Sequence, residues 1–293
     1  MTGGILLLDK PRGLSSNGAL QRVRRLLGRI KAGHIGSLDP LATGMLPICV
    51  GEATKVAGDV LEGRKRYRFT VQLGVRTATG DAEGEVSARA AVPPLSESVI
   101  AGALAGFIGT HEQVPPMYSA LKRQGQPLYK LARAGIEVER APRPIEIAEL
   151  TLRGYTRDTL ELEALCSKGT YVRVLAEDIA RALGTCGHVT ALRRLYVEPF
   201  ACEPMHTLEG LEEAHARGVA PPLLPADWPL RHLPQLRLGR AQAQRLAQGQ
   251  RIALGAPQLA RARLYDEQGR FLGIGQTDAA GTLHPRRLLN LGP

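Results

Sequence analysis

The chain has 293 residues, 44% hydrophobic and 23% charged, with a net charge of +10 and a pI of about 9.8. That length and balance allow a sizeable core in one large domain, or in a large and a small one, and exclude wholesale disorder. No apolar run reaches the roughly 18 residues that span a bilayer. Ile5-Leu6-Leu7-Leu8, followed at once by Asp9-Lys10-Pro11, is too short for a secretory core, so a cytoplasmic protein without membrane contact is expected. The four cysteines lie far apart and the seven histidines form no ligand-spaced pattern, so reduced thiols and no metal are expected.

The charge favours a polyanionic partner, because each phosphate neutralised by Lys or Arg releases counterions. Of the 38 basic residues 31 are Arg, whose forked guanidinium suits phosphate oxygens and base edges. Three acid-poor runs concentrate the charge: Lys10 to Lys31, Arg64-Lys65-Arg66-Tyr67-Arg68, and Pro115 to Ile145. Together they point to nucleic acid. Aromatics, at 4%, are too scarce for a surface of many stacking rings.

In chain order, Gly4 to Leu8 reads as a buried strand. Ser15-Ser16-Asn17 then offers caps for a helix with Leu20, Val23, Leu26 and Leu27 on one face, stopped by Gly28. Gly33 to Pro47 reads as a turn-rich loop with an Asp39-Pro40 step. Tyr67, Phe69, Val71 and Leu73 alternate as a strand, Gly80 to Gly84 turns, and Ser96 to Phe107 predicts a short helix. Pro115 to Pro144 is a basic, Pro-punctuated excursion around a helical piece, Leu128 to Ala134, and suits a functional loop. Leu160, Leu162, Ala164 and Cys166 alternate as a strand. A turn at Ser167 to Thr170 leads to a helix burying Val172, Leu175, Ile179 and Leu183 and ending at Gly184.

Pro221 to Pro234 reads as a linker. Beyond it come a helix from Arg240 to Ala247 and a hairpin turning at Asp266 to Gly269. This tail holds nine Arg against Asp266, Glu267 and Asp278, a net charge of +6, and reads as a small RNA-binding module. The fold class predicted is α+β: a mainly antiparallel mixed sheet flanked by helices over residues 1–230, then a small β-rich domain over 233–293.

An Asp before Pro ordinarily just shapes a turn. Around Asp39, however, Gly33, Gly36 and Gly44 let backbone approach a ligand, and Arg29, Lys31 and His34 stand just upstream. The run from Gly33 through Asp39 to Leu46, continuing to Lys55, resembles the signature loop of the TruB-type pseudouridine synthases. Further blocks match in family order: Leu7 to Pro11, Lys65 to Tyr67, Pro115 to Lys122, Cys166 to Arg173 and His188 to Leu195. Ile35 and Ser37 depart from the more usual loop residues without removing any functional group from Asp39.

The resemblance implies a catalytic domain with a mobile thumb at about 115–145 and a PUA-like tail. It implies an isomerase that turns uridine into pseudouridine in the T-arm loop of tRNA (position 55), flipping the base out of its stack. Asp39 would be the nucleophile, and Arg173 its basic partner, favouring the ionised carboxylate. Tyr67 would stack on the uracil and His34 would fill the gap left by the flipped nucleotide. Tyr171 and Leu192 match substrate-pocket positions, and Lys10 would support the loop or a phosphate. On residue type alone, Tyr67 is equally a strand aromatic, His34 a backbone-bonded loop residue and Leu192 plain core. The resemblance also implies tRNA as partner, a stand-alone monomer with no obligatory protein partner, and no cofactor. Competing readings are an RNA-folding chaperone without turnover, a guide-dependent rRNA relative and a glycoside hydrolase. The last needs a second carboxylate, and no spacing singles one out.

Overall fold

The computed structural model describes residues Gly3–Asn290. Strand β1 (Gly3–Lys10) explains its own unbroken apolar run: Leu6 and Leu8 enter the main core, while Ile5 and Leu7 join Met45, Cys49, Val197 and Phe200 on the opposite face. Helix α1 (Ser16–Leu26) is capped by Ser15, whose hydroxyl accepts from the Gly18 N–H at 3.0 Å. Strands β2 (Ala32–His34) and β3 (Thr43–Gly51) take both ends of the stretch expected to be loop. Pro47 disguises β3 in the sequence because it lacks a ladder donor. In the fold it lies opposite Leu7, and its carbonyl accepts from the Ile35 N–H at 2.9 Å.

A 3-10 turn (Glu52–Val56) and α2 (Ala57–Glu62) lead to β4 (Lys65–Leu73), the hairpin β5 (Val75–Thr77) and β6 (Val86–Arg89), α3 (Glu97–Ala105) and β7 (Gly109–Gln113). The excursion contains β8 (Lys122–Arg123), β9 (Gln126–Pro127) and α4 (Leu128–Arg133). It returns through β10 (Arg143–Tyr155), β11 (Thr159–Cys166), α5 (Val172–Ala182) and β12 (Gly187–Val197). Short β13 (His206–Thr207) and α6 (Leu208–Ala216) complete this part.

The main sheet runs β13-β1-β3-β12-β4-β11-β10-β7, with β2 also on β3. Only β1–β13 and β3–β12 are parallel. Central β4 turns Tyr67, Phe69, Val71 and Leu73 into the core beneath α5. Its other face carries Arg66 and Arg68, both paired with the buried Glu163, and Arg66 also reaches Glu149 at 2.7 Å. Arg64 bonds Glu146, and Lys65 is buried. The second basic run, expected to face nucleic acid, is therefore largely neutralised by glutamates from β10 and β11. β2 and β12 share one edge of β3, so the chain leaving β2 at His34 must loop past Asp39 to re-enter at Thr43 beside Arg193.

The segment expected as a linker is packed rather than free. Leu224 and Ile5 exchange both backbone bonds at 2.9 Å, and Trp228, in a 3-10 turn (Trp228–Leu230), donates Nε1 to Glu203 at 3.0 Å. β14 (Gln235–Arg237), α7 (Arg240–Ala247), β15 (Ile252–Ala253), β16 (Leu259–Tyr265), β17 (Phe271–Thr277) and β18 (Thr282–Leu288) follow, forming a second sheet in the order β14-β16-β17-β18-β15. It meets the first part through Val56, Leu230 and Ile274, with Lys55 Nζ donating to the Leu288 carbonyl at 2.8 Å. No helix among the described residues is long and apolar enough to cross a membrane.

Phe69, 1% exposed at the centre of β4, tests this packing. Phe69→Ala is expected to lower the unfolding free energy by about 3–5 kcal/mol in urea titrations. A loss below about 1 kcal/mol would place Phe69 outside a close-packed core.

Candidate functional site

Asp39 lies in the turn between β2 and β3, and its anchors come from three directions. Ser16, buried at the start of α1, accepts from the Leu38 N–H at 2.7 Å and donates to the Leu38 carbonyl at 3.0 Å. Lys10, at the end of β1, is fully buried and donates to the carbonyls of Pro11 (2.9 Å), Leu14 (2.6 Å) and Pro40 (3.4 Å). From the far side, Arg173 in the first turn of α5 brings Nε to 2.9 Å from Asp39 Oδ2 and Nη2 to 3.4 Å from Oδ1.

Arg173 is itself buried, and its other donors are used. Nη1 gives to the Thr79 carbonyl at 2.6 Å and Nη2 to the Tyr118 carbonyl at 2.7 Å, while Asp81 Oδ2 stands 3.7 Å from Nε. One guanidinium thus ties together the Asp39 turn, the β5–β6 loop and the root of the excursion between β7 and β10. Asp81 is held by Thr79 Oγ1 (2.6 Å) and the Glu83 N–H (3.1 Å). Tyr171, the residue preceding α5, is clamped by the buried Gln113: its N–H donates to Oε1 at 2.8 Å and its carbonyl accepts from Nε2 at 3.2 Å.

The Asp39 side chain keeps 38% exposure, so a ligand can reach it. The protein packed around it still raises its carboxyl above the ordinary range by desolvation. Asp81 pushes the same way, and the charges of Arg173 and Lys10 oppose both. Burial lowers the Lys10 ammonium to about 8, although Asp39 draws it back up. Burial raises the phenols of Tyr67 and Tyr171, both near enough to feel the Asp39 charge. Burial, then the charge of Arg194, lowers the His34 imidazole.

The fold therefore gathers Lys10, Tyr67, Tyr171 and Arg173 about Asp39. Lys10, expected to support the loop or a phosphate, has its ammonium enclosed by carbonyls, one of them Pro40 of the turn. His34 stands apart in β2, its Nδ1 buried without a partner. Leu192 is 7% exposed in the main core, opposite Phe69 in register. Ser16, Asp81, Gln113 and Arg194 were not singled out from the sequence. Ser16 was visible only as a cap, Asp81 only as a turn residue, and Gln113 carried no signal.

Comparison with known proteins agrees with this architecture. Residues 24–172 match the model of the TruB family pseudouridylate synthase N-terminal domain. Residues 173–230 match the tRNA pseudouridylate synthase B C-terminal domain, and residues 234–289 match that of pseudouridine synthase II TruB, C-terminal. The chain is 51% identical to tRNA pseudouridine synthase B of Chromohalobacter salexigens, covering 98% of this chain and 94% of that protein. It is 52% identical to the protein of the same name from Aromatoleum aromaticum, covering 98% and 92%. The structure of a Cbf5-Nop10-Gar1 complex shares the fold with a TM-score of 0.71 at 20% identity, over 98% of this chain and 84% of the matched one. Similarity of this extent along nearly the whole sequence makes the chain a member of the TruB family of pseudouridylate synthases.

Proposed function

We propose that the chain isomerises uridine to pseudouridine in the T-arm loop of tRNA, at position 55, with Asp39 as the nucleophile. The observation that carries this reading is the reachable Asp39 carboxylate held by the buried Arg173 guanidinium. Asp39 attacks the target nucleoside as the bond between ribose C1′ and uracil N1 breaks. Uracil turns in the pocket and C1′ joins its C5; the bond to Asp39 breaks and returns the carboxylate, the C5 proton leaves and N1 gains one, so the atoms balance without an external reagent. Such an attack needs an ionised carboxylate held within bonding distance, and Arg173 favours that state. Tyr67 supplies the face on which the flipped uracil stacks, Tyr171 and Leu192 line its pocket, and His34 fills the gap it leaves.

RNA is held by charge that the protein leaves uncompensated. Among the described residues no acid pairs with Arg24, Arg25, Arg29 or Lys31 on and after α1. Exposed Lys122, Arg123, Lys130 and Arg133 line the excursion, which acts as a thumb closing over the loop and excluding water. Residues 1–230 form the catalytic domain, and the PUA-like domain at 233–293, with its net charge of +6, contacts another part of the tRNA. Because the α1 cations do not depend on Asp39, assistance of tRNA folding is a second activity of the same chain.

Asp39→Asn is expected to lower pseudouridine formation on unmodified tRNA by more than about 1,000-fold, read by mapping pseudouridine at each uridine. A wild-type rate in this variant would remove Asp39 from the chemistry. Pseudouridine appearing outside the T-arm loop would sink the substrate assignment. Folding assistance that persists in the inactive variant would support the second activity.

The rate should also fall on acidification through a carboxyl value above the ordinary 3.8, because the anion is the reactive form. Arg173 lowers that value, so Arg173→Met should move the acidic limb of the residual single-turnover rate to higher pH. A limb that stays in place would mean the guanidinium does not hold Asp39 ionised.

A further inference from the structure

Among the described residues, the largest side chain buried to within 2% of full enclosure is a cation, Arg194, at 1% exposure. Its partners are backbone carbonyls: Nε donates to Met45 at 2.7 Å and Nη2 to Gly36 at 2.8 Å. No acid pairs with it among the described residues. Burying a guanidinium without a carboxylate is strongly unfavourable, so its placement calls for a physical account.

The two carbonyls bracket Asp39 in sequence, Gly36 before it and Met45 after it. The turn is moulded around the arginine. Gly36 and Gly44 take positive φ of 69° and 99°. A Cβ on Gly36 would stand 3.2 Å from Arg194 Nη1, and one on Gly44 would stand 2.1 Å from the Arg194 carbonyl oxygen. Both glycines of the turn therefore face this one residue. β12 sets Arg194 against Gly44 of β3 on one side and Tyr67 of β4 on the other.

We propose that Arg194 is a positioning residue for this site, fixing both ends of the turn that carries Asp39 and the strand edge that carries Tyr67. A planar guanidinium holds its two carbonyls from separate nitrogens, Nε and Nη2, with a fixed angle between them, whereas an ammonium presents a single donor centre. The charge also reaches the His34 imidazole and the Tyr67 phenol, lowering both, so its removal has a spectroscopic signature.

The inference rests on the pseudouridine synthase reading, and the test separates the two. Full-length Arg194→Lys and Arg194→Met are compared with wild type for single-turnover rate on tRNA, tRNA affinity and the titration of His34 by NMR. Arg194→Met should lose about 100-fold in rate, as expected for displacement of a reacting group by about 1 Å, with tRNA affinity nearly unchanged. Its His34 value should rise, while Arg194→Lys should keep the His34 value and lose less rate. A folded Arg194→Met with wild-type rate, or with its rate loss matched by a loss of affinity, overturns the proposal. If Arg194→Met does not fold, Arg194→Lys decides: slower chemistry at unchanged affinity supports positioning, and a wild-type rate overturns it. An inactive Asp39→Asn beside fully active Arg194 variants sinks this inference alone, whereas an active Asp39→Asn sinks the reading beneath it.

Discussion

The contact between Arg173 and Asp39 is the constraint on which the site depends. A guanidinium at 5% exposure has lost its water and must be satisfied by protein. Asp39, Thr79, Tyr118 and the more distant Asp81 supply that satisfaction from three separate loops. Removing any one of them would leave a buried charge short of partners, so the loops are fixed by the arginine as much as the arginine by them. Arg173 can serve this way because Gln113 pins Tyr171, the residue from which α5 starts. The Tyr118 carbonyl makes the root of the excursion between β7 and β10 part of the same network, so its placement and that of the carboxylate are set together.

Three further cations are buried with no acid at salt-bridge distance among the described residues. Lys10, Lys65 and Arg194 are each at most 5% exposed and each held by backbone carbonyls. Carbonyl dipoles keep such groups hydrogen-bonded without a carboxylate at salt-bridge distance. Burial lowers both lysines to about 8.

Local patterns were legible and long-range pairings were not. Alternation in Tyr67 to Leu73 and the helical spacing from Val172 to Leu183 gave β4 and α5 their faces, because those faces bury against a single core. β1 read as a buried strand because both its faces are covered. β3 was masked by Pro47. β12 was masked by Arg193 and Arg194, which look like surface in a linear pattern. Arg193 is matched by Asp9 at 2.8 Å, from 184 positions away, and Arg194 by the carbonyls of Gly36 and Met45 on either side of Asp39. The run Arg64 to Arg68 looked like an RNA surface because the glutamates that answer it arrive from strands nearly a hundred residues later. Asp39 itself stood out only through its neighbours and the family resemblance. Its geometry depends on Ser16, Lys10 and Arg173, which no spacing connects.

On the proposed reading, Asp39 works as a carboxylate that Arg173 keeps ionised against the desolvation of its surroundings. Its most direct test is the carbon-13 resonance of the Asp39 carboxyl, assigned by comparison with Asp39→Asn and followed with pH in the free enzyme. An ionised carboxylate at pH 7 is expected in the wild type, with a clearly higher midpoint in Arg173→Met. A protonated Asp39 at pH 7 in the wild type, or the same midpoint in both proteins, would contradict it.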